Sequence, residues 1–467
     1  MKQRNGYDRE GIRSGQNNAH AALAVALGLA LTAISGGGHA ATQVLMNCND
    51  SGSGSLRAAI AAATSGDIID ASGLACSTIS LSTGALAVTV NDLTVIGAGR
   101  EYLTVTNGAK YGRVFSHSGT GLLNLRGMTI TGGVVSPAAP ESATRGGCIY
   151  SAGSVTLGNI FDPTDKASGV AVSDCNAVST QAGVTAAGGG IFAKSGVGLA
   201  NSTVTHSNAV AQSGATYSRG GGIALDQGPF AMKYSEVSNC AANGTHGDGG
   251  GIDAPFVDTV TVKHSTIAGN SSTGRAGGAY LGTDTGGLVL IDNSTISGNR
   301  SAGEGGVVLN VQASATQGAI HIYSSTITQN ESTSTKKANS IGGAAVFGST
   351  IWQSTIVSGN FKDGMNSDVR SDTNAGANNL VGVSLGTMPP TGLIIATDPE
   401  LGALTNRGGP TRVHEPLANS PAINTGNNNA GASADQRGPG FSRTLGAGAD
   451  IGAVERNPDT IFANAFD

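Results

Sequence analysis

The sequence predicts an all-β fold, a parallel β-helix closed at its N-terminal end by a short helical cap, and three observations carry that expectation. First, a doubled or tripled glycine followed by an apolar or small residue returns as Gly146-Gly147-Cys148, Gly189-Gly190-Ile191, Gly221-Gly222-Ile223, Gly250-Gly251-Ile252, Gly277-Gly278-Ala279, Gly305-Gly306-Val307 and Gly342-Gly343-Ala344. Second, a Ser-Thr-aliphatic half follows it, as Ser202-Thr203-Val204, Ser265-Thr266-Ile267, Ser294-Thr295-Ile296, Ser325-Thr326-Ile327 and Ser354-Thr355-Ile356, closing on Asn208, Asn270, Asn299, Asn330 or Asn360. Third, the stretches between are short alternating strands such as Val260-Thr261-Val262 and Ala319-Ile320-His321-Ile322, too brief and too β-branched for a helical period. Self-similarity of this kind marks a repeat in which no unit buries its apolar face alone.

Each unit therefore offers three brief strands separated by turns, stacked coil on coil at roughly 4.8 Å. Glycine permits the sharp corners, and an asparagine can bond its counterpart one coil away. Parity within the first strand turns Ile191, Ile223 and Ile252 inward and Phe192, Ala224 and Asp253 outward.

Composition agrees with a solenoid. The chain has 467 residues, 73 of them glycine, with 4% aromatic and 12% charged residues; small aliphatic side chains and tight corners are what a narrow stacked core requires. A net charge of −5 without basic clusters excludes nucleic acid and an anionic membrane as electrostatic partners.

In chain order, residues 1–40 read as a secretory signal peptide: a polar, weakly basic start, an apolar run from Ala21 to Ile34 and small residues before a cleavage point after Ala40. That run is too short to span a bilayer, and no other segment is long and apolar enough. Residues 41–110 read as the N-terminal cap and first coils, with a short amphipathic helix from Leu56 to Ala63 covering the open end. Residues 111–397 carry the repeats. Export permits disulfides; Cys48 with Cys76 and Cys148 with Cys175 are the expected pairs, while Cys240, placed in the column of Asn208 and Asn270, is expected to be a buried thiol. No Cys or His cluster has metal-ligand spacing.

From Asp398 the repeat gives way to Asp398-Pro399-Glu400-Leu401-Gly402, Asn406-Arg407-Gly408-Gly409-Pro410-Thr411, Ser420-Pro421-Ala422-Ile423-Asn424-Thr425-Gly426, Asp435-Gln436-Arg437-Gly438 and Asp450-Ile451-Gly452-Ala453-Val454-Glu455. These segments resemble the terminal part of bacterial choice-of-anchor Q domain proteins. Ser55-Leu56-Arg57-Ala58-Ala59-Ile60 resembles the start of CSLREA-type chains, with Gly54 where that pattern has cysteine. The Gly-Gly and Ser-Thr-Ile halves are more loosely similar to polymorphic outer-membrane protein repeats. The resemblance implies a right-handed parallel β-helix on an exported bacterial protein, with residues 398–456 as terminal coils and 457–467 as a tail whose role depends on the sorting route.

The candidate site is an outward stripe on the first strands: Phe192, Lys194, Asp226, Asp253 and Tyr280 on successive coils. Lys194 and Asp226 fall in one column on adjacent coils, with Asp253 one coil further in the neighbouring column. As a ligand-binding face this stripe would take a polysaccharide or a cell-surface glycan. As a catalytic site, Lys194, Asp226 and Asp253 would serve a lyase with a basic Lys beside carboxylates holding Ca2+, or a hydrolase with carboxylates roughly 5–10 Å apart. The plain alternative is a solvated face on which Lys194 over Asp226 is a surface ion pair worth ~0–1 kcal/mol. His246 and Asp248 lie in a glycine-rich turn, His206, His264 and His321 fall in different registers, and Asp435, Arg437, Asp450 and Glu455 read as a closing ion-pair network. The expectation is a monomeric, non-catalytic, adhesin-like or glycan-binding rod at the cell surface or outside the cell, without cofactor. Its alternatives are a lyase or hydrolase of an acidic polysaccharide, and a purely structural surface protein.

Overall fold

The computed structural model describes residues 40–457 apart from 109–111, 137–143, 213–216, 284–285, 312–319 and 335–339, and leaves the side chains of 372–374 undescribed. The expected signal peptide, but for Ala40, and the tail from residue 458 onward lie outside the described residues.

The repeat folds as coils of four strands. After Gly188-Gly189-Gly190 come a first strand Ile191–Ala193, a second Gly196–Ala200, a third Thr203–Thr205 and a fourth Asn208–Ala211. The next coil repeats them as Ile223–Leu225, Pro229–Lys233, Glu236–Ser238 and Ala241–Asn243. The register is parallel throughout these coils: Ile191 lies opposite Ile223, Leu199 opposite Met232, Val204 opposite Val237 and Ala209 opposite Ala242. The chain is a right-handed parallel β-helix of about 10 turns. First and second strands share a 21-stranded sheet, third strands a 12-stranded sheet and fourth strands a 9-stranded sheet. The sequence predicts only three strands per unit. The fourth is as short as Ser271–Ser272 or Arg300–Ser301, with no apolar alternation to announce it.

The repeated residues serve the stack. Ile191, Ile223, Ile252, Val204, Val237 and Ile267 point inward and are fully buried. A Cβ on Gly221 would collide with the Gly250 carbonyl of the next coil, so the corner admits only glycine. The serines at this corner close their own turn and link two coils: Ser265 Oγ donates to the Lys263 carbonyl at 2.6 Å and accepts the Ser235 N–H at 3.2 Å, and Ser294 Oγ accepts the Ser265 N–H at 3.3 Å; in the last coil Thr355 takes this place, donating to the Gln353 carbonyl at 3.0 Å, and Ser354 bonds Asn427 of the C-terminal segment. The asparagines form an internal ladder, Asn270 to Asn299 at 3.0 Å, Asn299 to Asn330 at 2.9 Å and Asn330 to Asn360 at 2.9 Å, ended by Asp368 accepting from Asn360 at 2.9 Å. Buried amides are thereby satisfied from coil to coil. Asn208 stands one residue outside this ladder and bonds Asn176 at 2.9 Å, because it lies opposite Ala241. Cys240 heads the ladder, its N–H donating to Asn270 Oδ1 at 2.9 Å; it is free and buried, and burial pushes its thiol up to about 12.

The N-terminal end is closed as expected. Ser55 caps the helix Leu56–Ala62, which buries Leu56, Ala59 and Ile60. Disulfides join Cys48 to Cys76 and Cys148 to Cys175. The C-terminal segment differs from the expected terminal coils. It leaves the stack after Ile394–Ile395 and runs as a strap over the outward threonines of the third strands. Thr266 donates to the Arg412 carbonyl at 2.6 Å, Thr295 to Gln436 Oε1 at 2.6 Å, and Thr326 Oγ1 accepts the Ala453 N–H at 3.0 Å. The reason is compositional: the glycine pair of residues 398–456, Gly408-Gly409, is followed by Pro410, which has no N–H for a parallel ladder, where each first strand of the repeat opens on a residue that has one.

Candidate functional site

Parity of the first strand holds, yet outward does not mean accessible. Tyr150, Phe192, Ala224, Asp253, Tyr280 and Val308 stand in one column on successive coils. A small sheet of Ala186–Ala187, Tyr217–Arg219 and His246–Asp248, formed by the residues just before each glycine run, closes over that side. Phe192 is fully buried with Ala187 and Ala224, while Asp253 is 3% and Tyr280 6% exposed. Phe192 stacks on Tyr150 at 5.7 Å between ring centres, and arginines interleave with the rings: Arg113 over Tyr150 at 5.0 Å, Arg145 and Arg219 over Phe192 at 4.9 and 5.8 Å, Arg275 over Tyr280 at 4.5 Å. Such cation–π contacts are worth about 0.5–2 kcal/mol each when desolvated.

The carboxylates here are structural partners of those arginines. Arg219 bonds Asp253 at 3.2 Å and also Asp226, and Arg275 bonds Asp248 at 2.7 Å. Burial pushes the Asp253 carboxyl up to about 7, with Arg219 opposing the shift. The expectation of an open stripe is corrected at Phe192, which packs with Ala187 of the small sheet, at Asp253, which is buried and bonded to Arg219 of that sheet, and at Tyr280, which packs one coil further with Ala276, Val308, Ile341 and Ala345. Lys194 is exposed and Asp226 half-buried on the next coil, but Asp226 pairs with Arg219 and not with Lys194.

The second strands present a different face. Lys233, Lys263, Asp292, Tyr323 and Gln353 form one outward column; Ala231, Thr261, Leu290, His321 and Ile351 form the neighbouring one. All are half-buried, as expected of an uncovered sheet surface. Past each outer position the chain turns through a left-handed residue, Tyr234, His264, Asn293, Ser324 or Ser354, with φ between 44° and 49°.

Charge is unevenly spread along this face. Lys263 Nζ lies 3.4 Å from Asp292, whereas Lys233 Nζ faces the Tyr234 ring at 5.4 Å and has no carboxylate within ion-pair distance among the described residues. Burial, and next to it the charge of Lys263, holds the Lys233 ammonium below the usual lysine range. The rings of His321 and Tyr323 lie 5.4 Å apart; burial lowers the imidazole and, with Asp292 adding to it, raises the phenol. His264 stacks on Tyr234 at 4.8 Å and bonds the Asp435 carbonyl at 2.9 Å, so the strap borders the lysine column. At the N-terminal end stands the loop 159–169, anchored by Asn201 on the Pro163 carbonyl, with Ile160 over Gly198 and Phe161 67% exposed. This loop lies over the second strands, with Ile160 against Gly198.

The other candidates resolve plainly. His206 is an exposed turn residue, and His246 is exposed beside Tyr217 at 5.3 Å. Asp435 and Arg437 pair at 2.6 Å, Arg443 and Glu455 at 2.9 Å, and Asp450 N–H donates to Glu455 at 2.9 Å, a buried network inside the strap in which burial pushes Glu455 up to about 8. Among the described residues, no three His, Cys, Asp or Glu side chains gather as metal ligands, and no helix is long and apolar enough to cross a membrane. Sequence reasoning missed Lys233 and Lys263, though a signal existed: aligning Pro229–Lys233 on Thr259–Lys263 puts lysine at the same strand end twice.

No family model matches the chain, and no curated protein matches it. Among solved structures the chain is similar to one entitled "Crystal structure of pectate lyase Pel9A", at 17% identity and a TM-score of 0.48, over 90% of this chain and 98% of that one.

Proposed function

We propose that this is an extracellular or surface-exposed β-helix protein that binds a glycan chain along the outward face of its second strands without turning it over. The single observation behind this is that face itself: two half-buried columns over five coils, carrying Lys, Asp, His, Tyr and Thr side chains, bordered by the strap and by the loop 159–169. Long flat rows of donors and acceptors with interspersed rings suit sugar hydroxyls and pyranose faces. The two disulfides support an oxidising compartment, and the resemblance to choice-of-anchor Q proteins supports a place at the cell surface. Glycan binding by the purified protein tests it: Tyr323→Ala with His321→Ala should abolish retention on a bound glycan, while Lys194→Ala and Asp226→Ala leave it intact. Loss in the latter pair alone would return the site to the first-strand stripe.

Lys233 favours one second reading. A lysine held below its usual range gives up its proton more readily, and its free amine can act as a base, so the same face could run a lyase reaction: the neutral Lys233 amine takes the proton from the carbon beside a uronate carboxylate, the electron pair forms the ring double bond, and the glycosidic oxygen leaves and is protonated from solvent. Unsaturated, ultraviolet-absorbing products from an acidic polysaccharide, lost in Lys233→Ala, would establish turnover; binding without them would exclude it.

A further inference from the structure

We infer that the second-strand face selects anionic glycans, with Lys233 and Lys263 as the pair that reads an oxyanion, carboxylate or sulfate, on the sugar. This rests on the glycan-binding reading above and adds to it which sugars are taken and where the charge sits.

At several places charges on adjacent coils meet their opposite. Arg300 meets Glu331 at 2.9 Å, Arg275 meets Asp248 at 2.7 Å and Arg219 meets Asp253 at 3.2 Å, each across one coil step. Lys233 and Lys263 instead set like charges together. They stand directly opposite each other in the parallel register, one rung of roughly 4.8 Å apart, where like charges repel. Nothing in the stack requires it: both point outward, and neither fills the core. Asp292 forms its ion pair with Lys263, at 3.4 Å, and with Asp162 it reaches Lys233 only as a more distant charge. Lys233 is left half-buried over the Tyr234 ring at 5.4 Å, between Lys263 and the loop carrying Asp162.

A half-buried cation beside a second cation is the arrangement an oxyanion stabilises, because one anion offsets both desolvation and repulsion. The rest of the column changes character in step: Asp292 is an acceptor, while His321 and Tyr323 offer donors and rings on the next coil. The charged group of the glycan therefore sits at the Lys233–Lys263 coils, and its hydroxyls run toward Tyr323. Like-charge strain also makes a counterintuitive demand. If the lysines are kept for a ligand, removing one relieves the free protein.

Retention on immobilised polygalacturonate, dextran sulfate and uncharged dextran, with wild type, Lys233→Gln, Lys263→Gln, the double variant, Lys233→Arg and Lys194→Gln, tests this. Wild type should bind at least one anionic matrix on the order of tenfold more tightly than dextran, with affinity falling as salt rises. Each glutamine variant should lose on the order of tenfold; Lys233→Arg and Lys194→Gln should keep binding. The thermal midpoint of Lys233→Gln should equal or exceed that of wild type, which also shows that the variant folds. The two anionic matrices tell carboxylate from sulfate. Equal binding to dextran and to both anionic matrices, unchanged in the double variant, would overturn the inference and leave glycan binding standing. Silence on all three matrices would overturn both.

Discussion

The first and second strands of each coil turn alternate side chains outward from the same 21-stranded sheet, yet one outward face has become an interior and the other has not. Over the first strands, the residues preceding three of the glycine runs form a covering sheet and Arg275 and Ala276 continue the cover on the next coil, so Phe192, Asp253 and Tyr280 pack among arginines. Over the second strands nothing described lies on the lysine column but its borders, and like charges remain side by side. Opposite charges buried under a cover hold a fold together; like charges left open await a partner. Position in the coil, and not the residue types alone, decides which is which.

The largest expected break is Phe192→Ala. It leaves a void beneath the covering sheet and should lower unfolding free energy by about 3–5 kcal/mol, measured by denaturant unfolding, with glycan retention unchanged at temperatures where the variant stays folded. Arg219→Ala comes next, since it strips the partner from Asp253. The expected loss at neutral pH is about 2–3 kcal/mol, below the full penalty for breaking a buried pair, because the arginine is one-quarter exposed and the carboxyl can take a proton.

The same carboxyl gives a pH signature. Asp253 is raised from 3.8 to about 7 in the folded chain, so the folded state holds a proton that the unfolded state releases. Its contribution is fully present below about pH 4 and is lost as pH rises toward 7. Glu455, raised to about 8, extends the fall, while Asp50, held below its ordinary range by Arg57 and the Ser82 and Thr83 donors despite its burial cost, acts in the opposite sense at acid pH. Thermal midpoints should therefore decline from pH 5 to 8, and Asp253→Asn should flatten the Asp253 part of that slope; an unchanged slope would show that Asp253 does not carry it. Smallest of all, Thr261→Ala on the open face should cost no more than ~0.5 kcal/mol.

The stack was legible in the sequence because its parts recur at fixed offsets. Gly221, Ile267 and Asn299 each have one mechanical task, and their spacing displays it. The covered face was not legible. Arg145, Arg219 and Arg275 sit just before the glycine runs, Arg219 in a three-residue strand, Arg145 in an isolated bridge and Arg275 in no strand, so nothing local indicates that they fold back over Phe192 and Tyr280. The strap was half-legible: its motifs mark a change of structure at Asp398, but Thr266, Thr295 and Thr326 look like exposed strand residues until Arg412, Gln436 and Ala453 are seen upon them. Lys233 and Lys263 became a pair only once the register was known.

Lysine acetylation footprinting of the folded protein, with and without polygalacturonate or dextran sulfate, tests the central contrast most directly. The open-face account predicts that the ligand protects Lys233 and Lys263 and leaves Lys194 as reactive as before. Protection of Lys194 with Lys233 and Lys263 unaffected would contradict it and place the ligand on the first-strand side.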